Sequence, residues 1–527
     1  MDLLPAPIHG LHLAGSLGAH HRFQTALGDP EGAQRARLAA ILHGLRDTEA
    51  WGALGLGGGY EELVRRVPPH TYAELEEPLR RQRATGRPVL CPPCRRWLPT
   101  SGSTSRRKWV PCPPGYGAEL DAAAGAWMVD LAIRHPRAFL GRHYWSLSWV
   151  PEELRQGGRD SDDLELLPPW KRMALRAAMA VPGSVADLPS NQDAMAATAM
   201  HLAACPGLSL VSTWSPTFFL ALLEQLSRQR CRAAGILAGD AWPWPGAPPR
   251  SRRGAGLLRQ WDGSLDPGFF RALWPRLALV STWCSAGSAP YAARLRALLP
   301  QAHLQGKGLW ATEGVVSIPF RDRQPLALTS HFLEFRCLAS ERILPAWALE
   351  EGQVVEPLLT TSSGLLRYRL GDSVRVTGFL ERTPTLEFLG RGGGTDLAGE
   401  KLDRIAVAAL LLELGSACVT LFAVSASTPG YVLLAEGAPA DAGPLEARLE
   451  AALCGFHHYR LARELGQLAP ARAWLVDDAA AILDQRAQAR AQVQGGTKPE
   501  ALEDWGLPTP PGTPWYARPS HGSPDET

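Results

Sequence analysis

An α/β protein with one large lobe and a smaller C-terminal unit is the architecture this sequence predicts, and three features carry the prediction. From residue 118 to about 380, stretches with helical apolar spacing alternate with short apolar runs of strand length, the pattern of layered sheets and helices. The run Leu208-Ser-Leu-Val-Ser-Thr-Trp214 recurs as Leu277-Ala-Leu-Val-Ser-Thr-Trp283, each followed by a loop and an apolar helix, which predicts duplicated halves of a layered sheet. Gly392-Gly393-Gly394 then forms a flexible joint, and a smaller α/β pattern follows it. The expected domains are therefore 1–390, 391–502 and a disordered Pro-rich tail at 503–527.

Taken in order, residues 1–90 read as helical, with apolar spacing through Leu38, Ile41, Leu42 and Leu45, then Tyr60, Leu63 and Val64. Val67-Pro68-Pro69 ends that stretch, and Thr71 is placed to cap a short helix through Leu75 and Leu79. Residues 91–117, rich in Pro, Gly and Ser, read as strand and loop. Between the two repeated strands, the Trp-, Pro- and Arg-rich residues 240–257 read as a surface excursion. In the small unit the expected elements are a helix from Lys401, strands at 417–424 and 431–435, and a helix at 444–453. The last 25 residues hold six prolines and three glycines with few large aliphatics, hence the expectation of disorder.

Composition excludes several classes. The 527 residues carry 54 basic against 52 acidic side chains, a formal charge of +2, which leaves no nucleic-acid footprint or polybasic anchor. No run of eighteen uncharged apolar residues appears, and the N-terminus lacks the basic start of a secretory signal, so the cytoplasm is the expected location. Nine cysteines do not read as a disulfide framework. Cys91-Pro-Pro-Cys94, with Cys112 nearby, has metal or redox spacing but supplies only three ligands, and a loop of reduced thiols is the expectation. Only five of the basic residues are Lys: Lys108, Lys171, Lys307, Lys401 and Lys498. In so Arg-biased a chain, a Lys marks a place where a compact ammonium can be needed.

The sequence has no GxxxxGK[ST], no GxSxG and no HExxH, so its chemistry lies elsewhere. Four runs are informative. Thr100-Ser101-Gly102-Ser103-Thr104-Ser105-Arg106-Arg107-Lys108 sets five hydroxyls around a glycine, beside positive charge, a composition able to donate to phosphate oxygens or to form an ordinary polar loop. Gln305-Gly306-Lys307-Gly308-Leu309-Trp310-Ala311-Thr312-Glu313-Gly314 places a carboxylate beside a strand-like segment, where it can hold Mg2+ or sit solvated in a turn. Tyr368-Arg369-Leu370-Gly371-Asp372, with Arg391 further on, offers an Asp for ribose hydroxyls or a surface salt bridge. Gly495-Gly496-Thr497-Lys498-Pro499 carries a lone Lys in a Gly-rich loop, for delivery to a site or as a solvated turn.

In this order and spacing the four runs resemble the GH3 family of acyl-acid amido synthetases, within the adenylate-forming superfamily. Thr100 to Lys108 is similar to the superfamily's phosphate loop, with Ser105 where Gly is usual. The Gln-Gly-Lys-Gly and Ala-Thr-Glu-Gly elements resemble the bacterial branch, and Tyr368 to Asp372 resembles the family's ribose motif. Val67-Pro-Pro-His-Thr-Tyr72, Trp214-Ser-Pro-Thr217 and His458-Tyr-Arg-Leu-Ala-Arg463 agree with it, so the likeness spans roughly residues 30–503.

The resemblance implies a lobe of the adenylate-forming type, with a small mobile C-terminal domain. It also implies ATP and Mg2+, a small carboxylic acid, and an amine, an amino acid's being the expected one. It assigns Ser103, Thr104, Ser105 and Lys108 to the phosphate loop, Thr312 to the α-phosphate, Glu313 to Mg2+, Asp372 to the ribose, and Arg391 to the ribose from the hinge. Lys498 would arrive with the small domain and bridge the acyl carboxylate and the α-phosphate, while Lys307 and Lys401 support the loops. Trp214, Phe218 and Phe219 are candidate walls of the acyl pocket. Two alternatives share every ATP residue or the fold alone: an acyl-CoA or acyl-carrier thioester ligase, and a non-catalytic relative.

Overall fold

The computed structural model describes residues 5–57, 59–99, 108–146, 176–244, 246–285, 288–391, 393–395, 397–398, 400, 402–415, 417–425, 429–489 and 500–506. The chain forms two compact units, one from Met1–Leu389 with Asp484–Lys498 and the other from Gly390–Leu483 with Pro499–Thr527. Among the described residues no helix is long and apolar enough to cross a membrane.

The large unit opens with helices, as its periodicity predicts. Pro30–Leu45 buries Leu38, Ile41, Leu42 and Leu45 along one stripe, with Pro30 at its first turn and the Asp29 carboxylate capping Gly32 N–H. Thr71 and Glu74 form a reciprocal capping box at the start of Tyr72–Thr85, and Gly86 in the left-handed conformation ends it. A two-stranded hairpin follows, Trp97–Pro99 against Trp109–Pro111. Residues 100–107 between its strands, with Ser103, Thr104 and Ser105 among them, lie outside the described residues.

The repeat becomes two neighbouring strands. Leu208–Ser212 and Leu279–Thr282 run parallel in one four-stranded sheet, between Arg142–Trp145 and His303–Gly306. Their register pairs Leu210 with Leu279, Val211 with Val280 and Ser212 with Ser281, so equivalent repeat positions face one another. Both strands are fully buried, as parallel strands with covered faces must be. Helices Leu17–Gly28 and Pro114–Arg134 pack on this sheet through Phe23, Leu27, Ala126 and Trp127. The excursion expected at 240–257 is shorter than the sequence implies. Ser251 caps a helix, Arg252–Gln260, that returns Ala255 and Leu258 to the core.

The second sheet of this unit has antiparallel pairing. Its order is Ile343–Pro345, Phe332–Cys337, Val354–Thr360, Asp372–Leu380 and Thr383–Arg391, with Tyr368–Arg369 pairing on Val354–Thr360. Alternation marks the strand Asp372–Leu380, where Val374 and Val376 enter the core and Arg375 and Thr377 point away.

The small unit is a four-stranded sheet ordered Arg472–Val476, Gly430–Glu436, Cys418–Val424 and Leu502–Asp504, with helices Arg404–Leu414 and Ala442–Leu453. Its helix starts at Arg404, because the Asp403 carboxylate caps Ile405 and Ala406 N–H there. The first residues of the segment expected to be a tail, from 503, have defined structure. Glu503 and Asp504 complete a parallel strand against Phe422 and Ala423, and Trp505 is buried with its ring 4.9 Å from that of Phe422. A buried indole fixes the backbone beside it more firmly than prolines further on loosen it. Residues 507–527 lie outside the described residues.

Candidate functional site

The site grows from a tight turn. Trp310–Ala311 and Gly314–Val315 pair antiparallel, which leaves Thr312 and Glu313 at the turn between them. A methyl group at Gly314 would stand 3.0 Å from the His331 ring, so this turn is pressed against its support and glycine is needed for the approach. The Tyr116 hydroxyl donates to the Thr312 carbonyl at 2.6 Å and holds the turn from the helix Pro114–Arg134. Glu313 is only 7% exposed, and the Tyr368 hydroxyl lies 3.4 Å from its Oε1.

Tyr368 comes from the third run, and the N-terminal part of the chain is laced to it. His70 donates its backbone N–H to Arg367 and accepts from Arg369 N–H, which makes a parallel bridge alongside Tyr368. Two residues on, the Tyr72 hydroxyl accepts from Trp109 N–H at 2.8 Å, and the Lys108 ammonium stands 5.4 Å from the Tyr72 ring. Burial raises the Tyr72 phenol, and the nearby Glu313 charge adds to the rise. The stem of the hydroxyl-rich loop, the Glu313 turn and the Tyr-Arg-Leu-Gly-Asp run are thus neighbours. Asp372 is 3% exposed at the start of its strand, after Gly371 in a left-handed conformation that a side chain would strain.

Two buried carboxylates support this arrangement, and sequence reasoning passed over both. Glu119 accepts from Arg37 at 2.7 Å, from the Ser362 hydroxyl at 2.5 Å, and pairs with His331 Nδ1 at 2.9 Å. Burial alone would raise its carboxyl, yet the His331 and Arg37 charges prevail and hold it below the usual range. Glu334 receives a two-pronged ion pair from Arg367, at 2.8 and 2.9 Å. There burial wins, and the Glu334 carboxyl is raised despite its partner. Isolated acidic residues in unremarkable sequence give no cue to such anchoring.

At the C-terminal ends of the parallel strands the Lys307 ammonium donates to Ser212 Oγ at 2.7 Å. It also lies 4.8 Å from the Trp214 ring, 4.9 Å from Trp127 and 5.8 Å from Trp145. A cation among three indole faces is a strong local feature; the sequence marks Lys307 by its run and Trp214 by its repeat, but nothing in it brings Trp127 and Trp145 to them. Trp214 therefore belongs to this aromatic group, with Trp283 and Trp310 beyond it.

Phe218 keeps 9% of its surface, while Phe219, the third residue expected to wall a pocket, is wholly buried and stacks on Trp274. Its helix turns that side toward the core. Arg391 ends its strand. Lys498 and Lys401 lie outside the described residues. Cys91, Cys94 and Cys112 form no disulfide; hydrogen bonding to Cys94 and burial push the Cys91 thiol up, and the same bond pulls Cys94 down.

The GH3 family N-terminal domain matches residues 19–235 and the GH3 family central domain matches 324–391. A human GH3 domain-containing protein is 27% identical over 411 residues, covering 70% of this chain and 72% of its own. An indole-3-acetic acid-amido synthetase of Arabidopsis thaliana, GH3.10, is 28% identical over a shorter span, 24% of this chain and 25% of that protein. The structure of an acyl acid amido synthetase, AtGH3.15, in complex with 2,4-DB superposes with a TM-score of 0.79 at 15% identity, covering 93% of this chain and 94% of that one. Two family domains matched in order along the chain, with a fold shared over nearly all of it, place the chain: the protein belongs to the GH3 family.

Proposed function

We propose that this protein adenylates a small carboxylic acid with ATP and passes the acyl group to an amine, an amino acid's in the first instance. The observation that carries the reading is the Thr312–Glu313 turn, held by Tyr116 and met by Tyr368, beside the stem of the hydroxyl-rich loop. Family membership supports ATP use; the bacterial branch rests on the 305–314 run alone.

A carboxylate is a poor acylating agent at neutral pH because oxide would have to leave. Its oxygen instead attacks the α-phosphorus of ATP, the bond to the β-phosphate oxygen breaks, and an acyl adenylate and pyrophosphate result. Two anions must meet, so the site has to neutralise charge. A largely buried carboxylate beside a phenol hydroxyl suits Mg2+, which is commonly held by one or two carboxylates together with substrate phosphates. Glu313 would hold that ion, whose charge lowers the repulsion between the reacting anions.

Ser103, Thr104, Ser105 and Lys108 would bind the outer phosphates, Thr312 the α-phosphate, and Asp372 with Arg391 the ribose. Lys498 would stand between the acyl carboxylate and the α-phosphate. The amine nitrogen then attacks the acyl carbon, loses a proton to solvent, and AMP leaves. Trp214 and Phe218 remain the candidate walls for the acyl group, with the Lys307 ammonium at that end of the sheet.

Carboxylate-dependent release of pyrophosphate from ATP, screened over a panel of acids, tests the first step. Offering amino acids and coenzyme A separately to the best acid then tests the acceptor. Amide formation is expected; thioester formation would make the protein a thiol ligase, and no release with any acid would leave the fold without this chemistry.

A further inference from the structure

His135, His303 and Asp322 come from three separate segments, yet they meet at one point of the large unit. One ring nitrogen from each histidine and one carboxylate oxygen all lie within 4.8 Å of one another. The two imidazoles stack with centroids 4.4 Å apart and planes 21° from parallel. We propose that this cluster binds a first-row divalent transition ion, Zn2+ foremost, at a site apart from the adenylation chemistry.

Each ligand is positioned by its backbone. His135 caps the helix Pro114–Arg134, and Pro136 after it forces the chain out of the helical conformation. His303 opens the strand His303–Gly306, with its N–H bonded to the Ala278 carbonyl. Asp322 lies in a two-residue turn closed by reciprocal Phe320–Arg323 bonds, with Arg321 and Asp322 both at positive φ, 48° and 57°. Asp tolerates that conformation better than most side chains. The turn is further held by Arg321 N–H on the Asp130 carboxylate at 2.9 Å.

One atom points to a ligand. His135 Nε2 is shut off from solvent and has no hydrogen-bond partner. A buried imidazole nitrogen left so forfeits an interaction that a metal ion would restore. Asp322 is ion-paired to Arg134 through Oδ2, and one of its carboxylate oxygens lies within 4.8 Å of a nitrogen of each ring. Two imidazoles and a carboxylate select zinc, cobalt, nickel or copper over Mg2+, and three protein ligands leave a fourth position for water.

The place of the cluster separates it from catalysis. His303 begins the strand whose far end, Gly306, leads to Lys307, so the ligand stands about 10 Å from that end at roughly 3.3 Å per residue. A bound ion would tie the end of the Tyr116-bearing helix to the edge strand and to the turn after Val315. Its effect would be to stiffen the large unit.

The test uses the full chain, stripped with chelator and titrated with Zn2+ by calorimetry, and with Co2+ by visible absorption. One saturable site of micromolar or tighter affinity is expected, unaffected by millimolar Mg2+, with a rise in the unfolding temperature on adding Zn2+. His303→Ala and Asp322→Asn, both at exposed positions, should each weaken binding at least tenfold. Cys94→Ser with Cys112→Ser should leave it unchanged. Absence of saturable binding would overturn the proposal, as would binding that survives both ligand substitutions or is lost with the cysteines.

Discussion

Arg367 and Glu334 form an ion pair whose removal has a cost that can be worked from the structure. Their side chains are 4% and 1% exposed, and two parallel N–H···O bonds join them. Arg367 also donates to the Val67 carbonyl at 2.8 Å. Arg367→Met would leave the Glu334 charge buried without its partner, which typically costs about 3–5 kcal/mol. The raised Glu334 carboxyl shows that desolvation already exceeds what the pairing returns. An apolar pair of similar volume should therefore do about as well as the ion pair. In Arg367→Met/Glu334→Leu most of the loss should be recovered, to within about 1 kcal/mol of the wild type. Urea unfolding followed by Trp fluorescence gives the three free energies. A single variant that loses less than about 1 kcal/mol, or a double variant no better than the single, would refute this reasoning.

Other outcomes follow from the same geometry. Lys498→Ala should slow pyrophosphate exchange a hundredfold or more with folding intact, since a transition-state charge is worth about 3 kcal/mol; near-normal exchange would remove its role. Glu313→Ala should shift ATP turnover to much higher Mg2+, and an unmoved Mg2+ titration would show that it holds no ion. His9 and His143 stack at 3.8 Å, and burial lowers both below the usual imidazole value of 6.5. The unfolded chain then takes protons first, so stability should fall as pH drops below about 6.5, by up to about 1.4 kcal/mol per unit for each ring. Melting temperatures at pH 7.5 and 5.5 read this out, and His143→Asn should flatten the slope. Deleting 508–527 should change activity by no more than a few-fold. Deleting from 504 also removes buried Trp505, a loss of about 3–5 kcal/mol that a melt of the small unit would register.

Much of the fold was legible because local chemistry and tertiary packing agree. Thr71 and Glu74 are three apart, and a capping box needs nothing else. The repeated Leu-Val-Ser-Thr strands are apolar on both faces, as a covered parallel sheet requires, and only their adjacency came from the structure. What stayed hidden depends on distant partners. Phe219 has the same composition cue as Phe218, and the rotation of its helix against Trp274 decides that it is core. Trp505 looks like part of a Pro-rich tail until Phe422 and Trp474 are seen around it. Of the site, the sequence marks Glu313, Asp372 and Tyr368 by their runs, yet Tyr116, which holds the turn through the Thr312 carbonyl, carries no special spacing.

The buried carboxylates give that division a physical basis. Glu119 and Glu334 each gather partners from segments hundreds of residues apart, Glu119 binding Arg37, His331 and Ser362, and Glu334 binding Arg367 and approaching Tyr60. Neither belongs to a run that suggests chemistry. Each buried acid must be surrounded by donors or carry a large desolvation penalty, so each fixes where several strands and helices meet. The Glu119 cluster holds His331, against which the Gly314 side of the turn is packed. The Glu334 pair holds Arg367, next to the Tyr368 that meets Glu313. A catalytic carboxylate must instead leave lone pairs for a ligand, and it can do so only where others have fixed the backbone around it. On the proposed function, Glu119 and Glu334 take no part in the reaction themselves, and a substitution at either should reach adenylation through the position of the Glu313 turn.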